Sequence, residues 1–391
     1  MIKIVNKHEC CGCGACEQIC PAKCIGLKED SEGFLYPETD GAACVSCGLC
    51  EQVCPIKNKK NRVGGTKPYA YAGWQRSDDI RSDSSSGGAF TAVAEYIIKN
   101  GGVVYGCALN YHMDAVHIGV ETIDDLAALR GSKYVQSKIG DIYQNIKECL
   151  ERGRKVLFVG TPCQAAGLHG FLKKKYENLY IIDFICHGVP SPKLFHNYIM
   201  DLEQKYNKKI TAYKFRTKDH GWSQLGMQLG SGSKIEFADG THIRKYPAFK
   251  DHYINAFLDD VCLRPSCYTC QFKEAEKEYA DLTIADFWGV NRVSKELNDG
   301  RGTSLLLVHN DHASELLEKI KDQFYYKQVD FERAICRNRS LIRSAKLNPN
   351  RKRFYEELET KGYSYVERKY MGAFTWGVHK VVNMVRNKLK L

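Results

Sequence analysis

Two segments of this 391-residue chain spell C-x2-C-x2-C-x3-C-P: Cys10, Cys13, Cys16 and Cys20 before Pro21, and Cys44, Cys47, Cys50 and Cys54 before Pro55. Three thiolates at that spacing wrap one corner of an iron–sulfur cube, and the fourth, displaced and followed by proline, points to the other cube. The expected crossing gives Cys10, Cys13, Cys16 and Cys54 to one [4Fe–4S] cluster. Cys44, Cys47, Cys50 and Cys20 go to the second. Structural zinc is the alternative, but zinc sites favour two well-separated C-x2-C pairs over a crowded triplet. Cys11 and Cys24 fall outside the pattern and read as free or packed thiols. Residues 1–56 are short and Gly-rich and cannot build an ordinary apolar core, so inorganic ligation must hold them.

The head resembles the bacterial two-cluster ferredoxins, which implies electron transfer. Eighteen cysteines, ten of them between Cys10 and Cys54, fit metal ligation better than disulfides in a reducing compartment. No run of about 18 apolar residues occurs, and Ile4-Val5 leads straight into cysteines with no apolar signal core, so a cytoplasmic protein is expected. The net charge is +11, and residues 343–391 carry 12 Lys+Arg against 4 Asp+Glu. The body before them is therefore nearly neutral. A nucleic-acid binder needs its basic stripe on a recognition module, and none is present, so no nucleic-acid partner is expected.

Residues 57–68 form a basic, Gly- and Pro-bearing linker. Beyond it, periodicity predicts a strand at 69–74, a helix at 89–101 and a strand at 103–109, then a helix from Ile142, a strand at 156–159, a helix at 164–175 and a strand at 180–185. This alternating α/β order predicts a parallel sheet with crossover helices. Between Ile210 and Phe237 residues alternate with Gly breaks, which predicts an antiparallel α+β insertion. The body is divided at 69–152 and 153–345, and 346–391 is read as a basic helical tail. In that tail Val378, Val381, Val382, Val385 and Leu389 recur at helical spacing among Lys380, Arg386, Lys388 and Lys390, with Phe374 and Trp376 before them. The pattern suits peripheral docking at the inner face of a membrane, an acidic protein groove, or plain packing on its own domain.

Four stretches carry a second resemblance: SSSGGAF (84–90), GSKYVQS (131–137), GTPCQAAGL (160–168) with ICHGVPSP (185–192), and ADLTIADFWG (280–289). Together they resemble the coenzyme F420 hydrogenase/dehydrogenase beta-subunit family. The resemblance implies a flavin-binding, mixed-sheet oxidoreductase body with a further iron–sulfur cluster, passing electrons between a two-electron carrier and one-electron centres. Some relatives use coenzyme F420 and others reduce different substrates. FAD is the expected flavin in preference to FMN. Ser84, Ser85, Ser86, Gly87 and Gly88 precede a helix, where bare N–H groups could take a flavin phosphate; a helix cap is the alternative. Lys133 could neutralise a pyrophosphate, and Tyr134 could stack on a flavin ring. Gly160, Thr161 and Cys163 follow an apolar strand, where a ligand crevice opens.

Cys262, Cys267 and Cys270 suggest a third cluster, with Cys186 as first choice and Cys163 as second for the fourth ligand. His187 and Asp286 are candidate catalytic residues. His187 could donate a hydrogen bond or proton to the flavin, and Asp286, at the end of a strand, could pair with a flavin or a Lys. The expected partners are a ferredoxin or other redox protein and a small two-electron substrate. The alternative is an electron-transfer subunit that has lost its flavin site. Anaerobically reconstituted protein should hold about eight irons in the head alone. Four or fewer in the whole chain would show that the doubled motif does not carry two cubes.

Overall fold

The computed structural model describes residues 1–58, 65–219, 221–222, 231–277 and 279–372. The doubled motif becomes a doubled backbone. Gly12 and Ser46, two residues past the first cysteine of each repeat, take left-handed φ values of 73° and 52°. Gly14 and Gly48, one past the second cysteine, take 74° and 73° and open the short helices Ala15–Gln18 and Leu49–Gln52. Glycine enters that region without a Cβ penalty. The two repeats are joined by an antiparallel hairpin, β1 (Ile25–Glu29) and β2 (Leu35–Thr39).

The body is an eight-stranded mixed sheet. In chain order its strands are β3 (Tyr69–Gln75), β4 (Val103–Leu109), β5 (Ala115–Val120), β6 (Val156–Gly160) and β7 (Leu179–Phe184). After an insertion follow β11 (Leu282–Asp286), β12 (Ser304–Val308) and β13 (Phe324–Val329). The spatial order is β13-β3-β12-β11-β7-β6-β4-β5. Strands β4, β6, β7 and β11 run parallel at the centre. Their near-continuous apolar runs are what burial on both faces requires. The helices Ala89–Lys99 and Asp311–Ile320 pack with Leu157 and Ile182 on one face. The helices Ile142–Glu151 and Pro162–Leu172 pack with Val156 and Phe158 on the other. The expected parallel sheet is therefore confined to the centre. The flanking strands, β5 on one side and β12, β3 and β13 on the other, pair antiparallel, which needs no crossover helix.

The insertion is a three-stranded antiparallel sheet of β8 (Ile210–Thr217), β9 (Gly232–Phe237) and β10 (His242–Lys245). The helices Pro192–Tyr206 and His252–Leu258 cover it. Residues 346–372, set apart as tail by their charge, belong to this core: Phe354, Tyr363, Val366 and Met371 are buried in it. The apolar positions from Val378 to Leu389, with Phe374 and Trp376, lie outside the described residues. Among the described residues no helix is long and apolar enough to cross a membrane.

At the sheet centre Asp183 on β7 is fully buried and accepts from Lys277 Nζ at 2.7 Å and Thr283 Oγ1 at 2.5 Å. Because the Thr283 proton goes to Asp183, His309 Nε2 donates to Thr283 Oγ1, 2.7 Å away. Burial, with Lys277 nearby, pushes His309 down to about 3, which favours the neutral ring with its proton on Nε2.

Candidate functional site

The head thiols sort into two groups by position. Cys10, Cys13, Cys16 and Cys54 are mutual neighbours: burial, then the Cys10 and Cys54 thiols, raise Cys16, and burial raises Cys54 with Cys10 beside it. Cys20, Cys44, Cys47 and Cys50 surround a second small void together with Cys24. Cys24 Sγ lies 3.4 Å from Cys20 Sγ. The first group is the one that meets the body. Gly167, on the helix Pro162–Leu172, leaves room for Cys13; a Cβ there would sit 2.9 Å from Cys13 Cβ.

A third group of thiols lines one void inside the body. Cys163 follows β6, Cys186 follows β7, and Cys267 and Cys270 come from the segment before β11. These four and Cys11 line one void. Burial pushes Cys186 up to about 12, with Cys163 and Cys270 adding and Lys273 opposing. A hydrogen bond with Cys11, then burial, raises Cys163; burial, then Cys186 and Cys270, raises Cys267. Such a pocket disfavours a free thiolate. Cys262 is not part of it. The segment 262–264 pairs with 189–191, through Ser191 N to Cys262 O and Arg264 N to Val189 O, and this extended run turns Cys262 into the core beside Tyr253 and Tyr355. The sequence triplet therefore places two of its three thiols at the void, and Cys163 and Cys186 are both present there.

A cleft of about 540 Å³ opens beside this void and shares Cys11, Cys163, Cys186 and His187 with it. It lies at the carboxyl ends of β6, β7 and β11, where parallel α/β sheets bind ligands. Ser84, Ser85, Ser86, Gly88, Lys133, Tyr134, Gly160, Thr161 and Asp286 all line it. The helix Ala89–Lys99 points its N-terminus there, and its N-cap Gly88 (φ 87°) supplies no side-chain cap.

Several motif residues differ from their sequence expectation. Gly87 does not face the cleft: its N–H donates to Ser304 Oγ at 3.0 Å, and a Cβ would meet Gly73 O at 2.4 Å. It is glycine for packing. Ser84 and Ser86 donate to Ile80 O and Thr303 O, both at 2.7 Å, and Ser85 meets Ser132 Oγ at 3.1 Å. Lys133 Nζ donates to Ala128 O and Arg130 O at 2.9 and 2.8 Å. Tyr134 stacks on Phe257 with centroids 4.6 Å apart, so the protein already covers one of its faces. Thr161 caps the helix Pro162–Leu172 in a box with Gln164. The partner of Asp286 is Arg216 of β8, Nη1 to Oδ2 at 2.5 Å, and both are largely buried. His187 Nε2 lies 2.5 Å from Asp260 Oδ1, and its Nδ1 lies 3.4 Å from Ser340 Oγ.

Residues 70–143 match the family model for the N-terminal part of the coenzyme F420 hydrogenase/dehydrogenase beta subunit, and residues 153–333 match the model for its C-terminal part. Residues 9–58 match a 4Fe-4S dicluster domain. The chain belongs to the coenzyme F420 hydrogenase/dehydrogenase beta-subunit family. It is 23% identical over 212 residues to the F subunit of the F(420)H(2) dehydrogenase from Methanosarcina mazei, across 51% of this chain and 57% of that relative. A chain of the F420-reducing [NiFe] hydrogenase complex from Methanosarcina barkeri aligns with 15% identity and a TM-score of 0.42, covering 78% of this chain and 91% of that one.

This family member thus carries an iron–sulfur head, and one residue that no motif revealed fastens it. Arg264, fully buried, donates to Cys10 O at 2.8 Å, Leu35 O at 2.9 Å and Gln136 Oε1 at 3.0 Å. Its Nη2 lies 3.4 Å from Cys10 Sγ, and its guanidinium lies 4.2 Å from the Tyr36 ring centroid. Gly12 lacks a side chain where one would strike Gln136. A lone Arg between two cysteines gives no sequence signal for any of this. Arg264→Met should remove donors from three acceptors, one buried and two part-buried, and cost about 3–5 kcal/mol. The check is denaturant unfolding together with limited proteolysis, in which the variant's head should be released faster than the wild type's.

Proposed function

We propose that this chain is an iron–sulfur flavoprotein oxidoreductase that passes electrons between ferredoxin-type clusters and a two-electron organic partner. Coenzyme F420, which the names of the family and of its Methanosarcina mazei relative both carry, is the first candidate partner. The observation that carries the reading is the shared wall: Cys163, Cys186 and His187 line both the ligand cleft and the void where four thiols meet. When bound, FAD would exchange an electron pair or hydride with the organic partner, whereas each cluster moves one electron at a time.

The residues divide the work. Cys10, Cys13, Cys16 and Cys54 hold the cluster next to the body, and Cys20, Cys44, Cys47 and Cys50 hold the outer one. Cys163, Cys186, Cys267 and Cys270 hold the third. The open N-terminus of the helix Ala89–Lys99 and the nearby Lys133 charge receive the flavin phosphates. The Asp260 carboxylate orients His187, which can hold a proton where cleft and void meet. Arg216 holds Asp286 and lies 5.7 Å from the Trp288 ring centroid. In this reading residues 1–56 are the ferredoxin-like domain and 69–345 the oxidoreductase body. An electron-transfer protein without flavin is the second reading, favoured by the commitment of the Gly87 amide and of one Tyr134 face to the protein itself.

The visible spectrum separates the two readings, since bound flavin adds resolved bands to the broad cluster absorbance. Metal analysis tests the third cluster. Wild type should hold about 12 irons, Cys186→Ser and Cys267→Ser should each lose about four, and Cys262→Ser should lose none. A loss in Cys262→Ser with none in Cys186→Ser would reverse the ligand assignment.

Charge at Lys133 sets a pH dependence. Burial pushes its ammonium down to about 8, opposed by Cys107, so the positive charge is present below that pH and lost above it. Flavin affinity should therefore fall between pH 7 and pH 9 in the wild type, read by released-flavin fluorescence. In Lys133→Arg, which stays charged throughout, the fall should be much shallower; equal slopes would remove Lys133 from the phosphate seat.

A further inference from the structure

We propose that Arg337, Asn338 and Arg339 form a second anion seat on the rim of the cleft, which takes the phosphate or carboxylate tail of the two-electron carrier. The inference rests on reading the cleft as the place where an organic carrier binds. It concerns the part of the cleft lined by the segment after β13.

All three residues line the cleft. Other arginines near it are neutralised: Arg216 pairs with Asp286, Arg81 with Asp299 at 2.7 Å, and Arg301 with Asp78 at 2.6 Å. Among the described residues the side chains of Arg337 and Arg339 have no such partner. Asp286, the acid on the same cleft wall, is already taken by Arg216. Unpaired surface guanidinium groups are ordinary in themselves, but the residue between them is not. Asn338 is 5% exposed, and its Nδ2 is buried without a hydrogen-bond partner. Buried polar groups are satisfied in the great majority of cases, and an orphan at a ligand cleft points to a missing acceptor.

The segment is held in place for this role. Gly289, which closes the ADLTIADFWG stretch, has φ 85°, and a Cβ there would stand 2.8 Å from Arg337 Cγ. Its bare backbone lets the Arg337 stem lie across it. One residue past Arg339, Ser340 O accepts from Lys273 Nζ at 2.9 Å. Lys273 also reaches Cys186 O, so the rim is anchored to the loop that bounds the thiol void. Two guanidinium groups and an amide from consecutive residues lining one cleft offer the donors that a phosphate or carboxylate takes, a guanidinium fork being able to give paired charge-assisted bonds.

The test is calorimetric titration of the holoprotein at about 0.15 M salt, where exposed charges are screened beyond roughly 8 Å. The probes are tripolyphosphate and tricarballylate, which separate the phosphate source from the carboxylate source. At least one should bind, and Arg337→Gln/Arg339→Gln should weaken it tenfold or more at unchanged iron and flavin content. Arg337→Lys/Arg339→Lys should recover only part of the affinity, for want of the fork. Arg343→Gln, which alters an exposed arginine off the cleft, should change affinity by less than twofold. The proposal is overturned if neither probe binds the wild type, if the double glutamine variant binds within threefold of it, or if Arg343→Gln weakens binding equally. Protein that purifies without flavin yet binds the probe in an Arg337/Arg339-dependent way would refute the flavoprotein reading and leave the anion seat standing.

Discussion

Four thiols from three distant stretches of chain line one void at the carboxyl edge of a parallel sheet, and the sheet order that brings them there also places the cleft beside it. Cys163 and Cys186 arrive there because β6 and β7 are adjacent and parallel, each ending in a turn at the same edge. Cys267 and Cys270 arrive because the segment 262–264 pairs with 189–191 across from them. Gly188 leaves the space for that approach, since a Cβ would stand 2.8 Å from Leu263 Cδ1. The cleft is the open side of the same junction.

Electrostatics then explains why the head sits where it does. The interior is not empty of charge: Lys277 and Asp183 form a pair with almost no exposure, and Arg264 reaches the Cys10 loop from the body. A buried guanidinium is tolerated only when its donors are used. Arg264 uses its donors on the backbone of the head and on Gln136, whose Nε2 in turn donates to Cys11 O at 3.3 Å. The fastening is thus polar, specific to one geometry, and placed between the nearer head thiols and the third group. Such an interface resists the head's rotation more than apolar contact alone would.

Much of the fold was legible from periodicity. The strand at Val103–Leu109 and the helix after Gly88 stand where the apolar pattern puts them, because propensity and tertiary burial agree there. The role of Gly87 was not legible: a glycine that admits a phosphate and one that admits a neighbouring strand look alike in sequence. Cys262 misled for a similar reason. Spacing records distance along the chain, whereas the direction of a side chain from an extended segment depends on which strand it pairs with.

The sequence by itself determined the doubled cysteine motif and the alternating α/β order, because each is a local pattern of spacing or burial. Only the tertiary structure decided which thiols share the third void, that Arg216 partners Asp286, and that residues 346–372 belong to the core. It also brought the Arg337–Arg339 segment to the cleft rim. These are contacts between residues tens to hundreds of positions apart, set by sheet order and packing, and no local pattern encodes them.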